Sequence, residues 1–258
     1  LNHLGWLRSL SVNGHDILPR LFADEAALGS MEESRAIGTD WIRALGALPN
    51  EYLFYYYCHR EAMARIHQDQ TRGEYLRDQQ EAFYNAVLSH PEQAGRTWID
   101  ALADREATYM AEARDVDERS GRRAEDIAGG GYQKVALDLM NALATDTPAR
   151  MILNVGNADG GFSSIPTLRD TDVVEVPCDV DASGVHPIPV SPLSGAALGL
   201  VQSVKACENL VIDAARERDR TLAWQALALH PLVDSVNVAR EVLDQAIRTN
   251  PLVAAAFD

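Results

Sequence analysis

Two residues of the chain stand where their side chains could take part in catalysis or metal binding. Tyr132 directly follows Gly129–Gly131 and begins a helical apolar pattern. Its phenol would lie at the positive end of the helix dipole, a position that favours an ionised group. The spacing alone favours another interpretation, in which Tyr132 only starts the apolar stripe. His3 is the second candidate because imidazole is a common metal ligand, although a lone histidine is more often a packed or hydrogen-bonded residue.

Other polar residues give weaker signals. Arg122 and Arg123 could bind a phosphate group, since guanidinium matches its geometry, but an exposed basic pair is more often only solvated. Structural roles are expected for histidines that match no metal-ligand spacing, namely His59, His67, His90, His186 and His230. The three cysteines are far apart, without CxxC or zinc spacing, which favours reduced thiols.

The elements that must position these residues are organised around the stretch from Thr171 to Arg218. Apolar and polar residues alternate from Val174 to Val180, which predicts a strand with one buried face. Pro177 cannot donate a ladder hydrogen bond, so we expect this strand at a sheet edge or bent at the proline. Apolar positions from Ala197 to Ala214 recur at steps of three and four and predict a long helix.

Elsewhere the patterns predict a mostly helical chain. The short strand predictions cover Leu4–Val12, ending at the turn Asn13-Gly14, and Met151–Val155. Helices are predicted at 16–28, after Thr39 or Asp40, from Asn50 through the aromatic run at 52–57, and at 74–89, 93–114, 132–144, 221–230 and 235–248. Residues 115–126 are charged and poor in apolar side chains, so we interpret them as a solvated loop and a candidate mobile lid.

Composition limits the function classes. The chain has 258 residues, of which 47% are hydrophobic, enough for a substantial core. Thirty-eight acids against 23 bases give a net charge of −15, which argues against nucleic-acid and anionic-membrane partners. No transmembrane or signal-peptide pattern is present, and a cytoplasmic protein is the expectation. The start at Leu1, inside a motif, suggests that other residues normally precede it.

Three patches resemble glycoside hydrolase family 4, with the 6-phospho-β-glucosidase branch matching best. They are LNHLGWLRSL at the start, GGGYQKVALDLM in the middle, and the stretch from Thr171 to about Val233. The resemblance implies an α+β fold for residues 1–258, mostly helical with a small mixed sheet, like the C-terminal domain of lactate/malate-dehydrogenase-like enzymes. It also implies a substrate-binding, metal-binding and oligomerisation domain. The family's dinucleotide-binding domain is absent from this chain, which has no GxGxxG after a predicted strand.

The resemblance also implies an NAD-dependent mechanism, which is an exception among glycosidases. The substrate, a phosphorylated disaccharide or glucoside, would be oxidised at C3, lose its C2 proton to Tyr132, eliminate the aglycone, add water and be reduced again. His3 resembles a ligand of a divalent metal, usually manganese, and Asn2 would contact sugar hydroxyls. Asn154 and Asn157 match an Asn-Val-x-Asn turn before an active-site loop and become substrate-binding candidates. Gly131 stands where the family has a first tyrosine, and the usual preceding arginine is absent.

Two other interpretations of the sequence remain open. One is a lactate/malate-dehydrogenase-like oxidoreductase domain, which shares the architecture but needs a His-Asp and Arg constellation that the sequence does not display. The other is an acidic helical interaction module without an active site. If the chain is the family 4 domain, we expect it to form a homo-oligomer. We also expect it to bind neither NAD nor manganese tightly by itself, because a single ligand cannot make a metal site.

Overall fold

A computed structural model describes residues 4–68, 70–110, 113 and 132–257. The chain divides into two compact units, Leu1–Gly130 and Gly131–Asp258. In the described part of the chain, none of the helices combines the length and the apolar character that a membrane crossing requires. The α+β, mostly helical class is confirmed, and the described strands pair antiparallel rather than in a mixed sheet. The assignment of residues 1–258 to one functional domain stays a prediction.

The first unit consists of short strands and short helices, followed by two longer helices. Its strands are β1 (Trp6–Leu7), β2 (Ser11–Val12), β3 (His15–Asp16) and β4 (Leu48–Pro49). Its α-helices are α1 (Leu18–Ala23), α2 (Glu25–Ser30), α3 (Glu32–Ile37), α4 (Thr39–Leu45), α5 (Phe54–Tyr57), α6 (His59–Gln68), α7 (Arg72–Ser89) and α8 (Ala94–Ala107). Single 3₁₀ turns lie at Glu51–Leu53 and Pro91–Gln93.

The single strand predicted at Leu4–Val12 was wrong in its extent. The structure divides it into β1, which pairs with β4, and β2, which pairs with β3. The predicted reversal at Asn13-Gly14 is confirmed, and both residues have positive φ angles of 51° and 77°, as a tight hairpin turn requires. The carboxylate of Asp16 accepts hydrogen bonds from the backbone N–H groups of Leu10 and Leu18, which hold its pKa below the usual value.

Some helix boundaries in this unit were predicted correctly and others were wrong. The helix at 16–28 is two helices, because the backbone of Asp24 is extended and its side chain caps α2. The cap predicted at Thr39 or Asp40 was wrong, since α4 begins after Gly38 without a side-chain cap. The break between α7 and α8 at His90-Pro91 is confirmed.

The core of the first unit lies beneath its short helices. One cluster of buried side chains is formed by Leu28, Ile42 and Leu48. The aromatic-rich segment begins after Asn50, whose side chain caps its first turn, and it buries Leu53 and Phe54 completely. A dense aromatic run therefore contributes one buried side to the core, as aromatic clusters usually do.

The second unit combines a helix and a three-stranded sheet with a helical C-terminal part. Its elements are α9 (Tyr132–Thr145), β5 (Ala149–Gly156), β6 (Val173–Asp181), β7 (Gly184–Pro187), α10 (Gly195–Glu217), α11 (Arg220–Leu229), α12 (Val236–Thr249) and α13 (Pro251–Ala256). The sheet order is β5-β6-β7. Val174, Val176, Cys178 and Val180 of β6 are buried on one face and pack with Ala142 of α9, which confirms the predicted alternation. α13 was not predicted.

Of the two alternatives predicted at Pro177, a sheet edge or a bend, the sheet edge was wrong, because β6 is the central strand. The paired residues of β6 and β7 run only from Asp181↔Gly184 to Cys178↔Pro187. Pro177 follows at the end of this ladder, where its carbonyl accepts a hydrogen bond from Ile188 N at 2.9 Å. In an antiparallel ladder the nitrogen and carbonyl of one residue face the same neighbouring strand. The missing N–H of Pro177 therefore faces the end of β7 and leaves the pairing with β5 intact.

The helical part of this unit packs around a second core. Ala214 of α10, Ala223 of α11 and Leu243 of α12 are buried together. Asp219 caps α11 and Ser235 caps α12.

Candidate active site

The structure describes only part of the predicted site. Asn2, His3, the charged segment 115–126 with its arginine pair, and Gly129–Gly131 lie outside the described residues, so their roles stay predictions. Tyr132 begins α9, as the apolar periodicity predicted. Its backbone is described, and the catalytic role of its hydroxyl stays a prediction.

The topology of the second unit brings the start of α9 toward a loop that carries predicted site residues. Only residues 146–148 separate α9 from β5, and α9 packs on the inner face of the sheet through Leu139 and Ala142. A helix that packs on the strand it is tightly connected to must run in the opposite direction along it. The first residue of α9 and the end of β5, where Asn157 follows, therefore lie at the same end of this unit.

Asn157 organises the loop between β5 and β6, residues 157–172. Its side chain is fully buried. The amide oxygen accepts a hydrogen bond from Ile165 N at 2.8 Å, and the amide nitrogen lies 3.0 Å from Ser163 Oγ, 3.1 Å from Ile165 O and 3.2 Å from Arg169 O. The backbone N–H of Asn157 donates to Asp172 O at 2.8 Å. The amide group is therefore fully engaged by this loop, and in the described conformation it holds the loop rather than facing a ligand.

Asp172 closes the other end of the loop. Its side chain is buried, one carboxylate oxygen accepts from Arg169 N at 3.0 Å, and the other accepts from Asn209 Nδ2 of α10 at 2.9 Å. This link between the loop and α10 was missed in the sequence analysis. Asp172 and Asn209 are 37 residues apart, and neither stands in a local pattern that would have indicated their contact.

Side chains lie close to the backbone in the first turn of the loop. A Cβ atom at Gly156 would lie 2.5 Å from a carboxylate oxygen of Asp159, whose other oxygen accepts a hydrogen bond from Gly156 N at 2.7 Å. A Cβ atom at Gly160 would lie 2.5 Å from the ring of Phe162. Gly156 and Gly160 thus permit a close approach of side chains to the backbone, and this segment is a folded turn.

Asn154 lies on the opposite face of the sheet from the buried core. It is exposed on β5 and pairs with Glu175 of β6. The same face carries a bidentate ion pair in which Arg150 Nε and Nη2 lie 2.8 and 3.0 Å from the carboxylate of Asp179. Asn154 and Asn157 therefore do not form one binding surface, since one side chain is exposed on a strand and the other is buried in the loop. The substrate-binding role of each stays a prediction.

A serine, a histidine and an aspartate also meet at the turn between β6 and β7. Ser183 Oγ lies 2.8 Å from His186 Nε2, and Asp181 Oδ1 lies 3.4 Å from the same nitrogen. In a nucleophilic relay the acid and the nucleophile contact different nitrogens of the imidazole. This cluster lacks that geometry, and it stabilises the turn instead.

The remaining candidate groups fit structural roles. Cys178 and Cys207 are buried, and burial raises the pKa of both thiols, which disfavours the reactive thiolate. Among the described residues no group of three or more His, Cys, Asp or Glu side chains converges on a possible metal position. The described residues therefore do not form a metal centre, and a metal site of this protein would need ligands such as His3 that lie outside them.

Comparisons with known proteins identify relatives across nearly the whole chain. It is 25% identical over 265 residues to maltose-6'-phosphate glucosidase MalH of Clostridium acetobutylicum, which covers 97% of this chain and 54% of that protein. It is 25% identical over 253 residues to 6-phospho-beta-glucosidase BglT of Thermotoga maritima, covering 97% and 53%. The chain thus spans about half the length of the curated relatives it matches.

Solved structures show the same fold. The 6-phospho-beta glucosidase of Thermotoga maritima, determined with NAD and glucose-6-phosphate, has a TM-score of 0.71 and 24% identity, covering 98% of this chain and 53% of that one. A 6-phospho-alpha-glucosidase from gut microorganisms, in complex with NAD and Mn²⁺, has a TM-score of 0.65 and 21% identity, covering 96% and 53%. The model of the family 4 glycosyl hydrolase C-terminal domain matches residues 1–233. The chain belongs to this family of glycosyl hydrolases.

Proposed function

We propose that this chain is the C-terminal part of an NAD- and metal-dependent glycosidase that hydrolyses 6-phospho-glucosides. The observation that carries the proposal is the family match over residues 1–233. It is supported by relatives at 97% coverage of the chain that are named for the hydrolysis of phosphorylated glucosides. The proposal includes a cytoplasmic location, a homo-oligomeric state, and no nucleic-acid or membrane partner.

Within that enzyme the chain would contribute a catalytic base and a loop that lies beside it. Tyr132, at the N-terminus of α9, takes the C2 proton of the sugar, aided by the positive end of the helix dipole. The loop at 157–172, held by Asn157 and Asp172, forms a rigid wall at the same end of the unit. When bound, NAD supplies a hydride acceptor and the divalent ion supplies charge stabilisation. His3 is the proposed metal ligand of this chain and Asn2 a proposed contact to the sugar.

The substrate is a glucoside phosphorylated at C6, and we propose the β anomer from the resemblance of the stretch 171–233. The named relatives include both 6-phospho-alpha- and 6-phospho-beta-glucosidases, so the anomer needs a direct test. The complete protein, supplied with NAD and Mn²⁺, should release nitrophenol from nitrophenyl β-glucoside 6-phosphate, and the α anomer of the same compound is the comparison. Activity only on the α anomer would correct the substrate, while no release from either anomer would overturn the proposed function.

Tyr132→Phe tests the proposed base, because it removes only the hydroxyl group. In the complete enzyme we expect turnover to fall by roughly 10²–10⁴-fold, the usual loss of a general base. Exchange of the substrate's C2 hydrogen with D₂O, followed by NMR, should fall in parallel. Tyr84→Phe is the matched control, since Tyr84 is 61% exposed on α7 and has no proposed catalytic role. Near-normal turnover and C2 exchange in the Tyr132 variant would refute the assignment.

A further inference from the structure

The loop at 157–172 lies on the same face of the three-stranded sheet as α9. Its side chains Ile165 and Leu168 pack against the buried cluster to which Ala142 of α9 belongs. The 14 residues of α9 and the eight residues of β5 span about 21 and 26 Å. A helix of that length, packed antiparallel to β5, reaches nearly to the end of the strand. The loop therefore adjoins the first turn of α9, where Tyr132 lies.

Buried side chains hold the far half of this loop through the backbone of Arg169. The carboxylate of Asp172 accepts a hydrogen bond from Arg169 N at 3.0 Å, and Asp172 N donates to Arg169 O at 3.0 Å. The same carbonyl lies 3.2 Å from Asn157 Nδ2. Both polar groups of this backbone unit are thus engaged, and the position of the loop depends on where Asp172 is held.

Asp172 is itself held from outside the loop. It is only 5% exposed, which is unusual for a carboxylate whose charge is not paired. Within the described ranges no cationic side chain pairs with it, and its side chain accepts only from Arg169 N and Asn209 Nδ2. Hydrogen bonds to a charged acceptor are strong. Asn209 of α10 is therefore the donor that ties this buried carboxylate, and with it the loop, to another element.

We propose that Asn209 is a positioning residue for the reaction, which acts through Asp172 and holds the loop where it bounds the substrate beside α9. The helix gives this bond a firm support, because α10 is anchored by four buried side chains. Functional groups need such supporting hydrogen bonds to keep their geometry. The inference rests on the proposed function, which places the substrate at this end of the unit.

Asn209→Asp tests the proposal, because it replaces the donor by a second carboxylate that faces Asp172 and repels it. In the complete enzyme with NAD and Mn²⁺, KM for nitrophenyl glucoside 6-phosphate should rise about tenfold, and kcat should change less than about threefold. The small effect on kcat is expected because the bond does not hold α9, which carries the proposed base. Hydrogen exchange at Ile165 N should rise in the 258-residue chain.

The double variant Asp172→Asn with Asn209→Asp restores the hydrogen bond with its polarity reversed. The amide introduced at position 172 can accept from Arg169 N and donate to the carboxylate introduced at position 209. We expect KM to return to within about threefold of the wild-type value, a rescue that loss of a merely stabilising contact elsewhere would not give. Asn237→Asp is the matched control, since it adds the same charge at an exposed position of α12 and should leave KM unchanged.

Circular dichroism establishes that each variant is folded. If Asn209→Asp does not fold, Asn209→Ala decides by the same criteria, because it removes the donor without adding a charge. An unchanged KM in the folded variant would overturn the inference, as would a fall in kcat alone or a double variant no better than Asn209→Asp. A wild-type enzyme that cleaves neither anomer is a different result, which would overturn the proposed function and the positioning role with it.

Discussion

At the residue scale, Asn157 shows how one side chain can fix a whole loop. It satisfies the backbone N–H of Ile165 and faces the carbonyls of Ile165 and Arg169 from a fully buried position. Polar groups left unpaired in such a place destabilise a protein strongly. The loop that would shape the substrate end of this unit therefore depends on a residue that need not contact substrate.

Asn157→Ala should lower the stability of the second unit by at least about 2 kcal/mol, because several buried backbone groups lose their partner. Urea unfolding followed by far-UV circular dichroism measures the change, and hydrogen exchange should rise at Ile165 N. Asn154→Ala is the matched control, since that side chain is exposed on β5. Equal stability of the two variants would show that Asn157 does not hold the loop.

His230 gives this unit a pH-dependent contribution to stability. Burial lowers its pKa below the usual value, and its Nδ1 accepts a hydrogen bond from Leu232 N at 3.2 Å, which requires an unprotonated nitrogen. The unfolded chain then binds the proton more readily than the folded one. Stability is therefore complete above about pH 6.5 and falls as the pH drops from there toward the lower folded pKa.

His230→Asn should flatten that pH dependence, because an asparagine oxygen can still accept from Leu232 N but does not titrate. Unfolding free energies measured at intervals from neutral pH into the acidic range give the slope. His15→Asn, at an exposed position on β3, serves as the comparison. An unchanged slope in the His230 variant would show that other groups produce the acid sensitivity.

At the element scale, α7 has the clearest local start signal in the structure. Thr71 accepts a hydrogen bond from Glu74 N, and Glu74 accepts from Thr71 N at 2.9 Å, so both halves of a capping box are present. The hydroxyl of Thr71 also donates to the Glu74 carboxylate at 2.8 Å, and this bond, together with that from Thr71 N, holds the pKa of Glu74 below its usual value. Since α7 has no buried residue, its start depends on this cap more than that of a helix in the core would.

Thr71→Ala should destabilise the start of α7 by about 1 kcal/mol. Hydrogen exchange of the Glu74 and Tyr75 amides, whose protons are bonded to Thr71, reports the loss locally. Thr249→Ala is the control, because Thr249 is the last residue of α12 and donates only to Gln245 O. If exchange at Glu74 does not rise, the cap is not what starts this helix.

At the scale of the whole molecule, the chain provides only some of the residues that the proposed chemistry requires. The chain covers about half of its curated relatives, and its described residues contain no cluster suited to a metal ion. The proposed chemistry also needs a dinucleotide site, for which the sequence has no GxGxxG motif after a predicted strand.

We therefore expect the 258-residue chain to bind neither NAD nor Mn²⁺ tightly and to be catalytically silent by itself. Isothermal titration calorimetry with each ligand checks this expectation, because an incomplete ligand set cannot retain a metal ion. The complete protein, with the same ligands, is the positive control. Micromolar NAD binding by the chain alone would contradict the prediction and would direct attention to Gly129–Gly131.

The sequence by itself determined the features that follow from local chemistry. The alternation of β6, the helix beginning at Tyr132 and the breaks at Asn13-Gly14 and His90-Pro91 are confirmed, since side-chain period and backbone restrictions act within a few residues. The family was also identified from three short patches, and the match over residues 1–233 confirms it.

Only the tertiary structure decided the features that depend on distant partners. Pro177 is tolerated in the central strand β6 because the ladder with β7 ends beside it, at Pro187, 10 residues further along the chain. Asp172 contacts Asn209 across 37 residues, and Asn157 is buried because the loop folds back over it. Such contacts arise from how elements pack, and a one-dimensional pattern records the period of an element but not its neighbours.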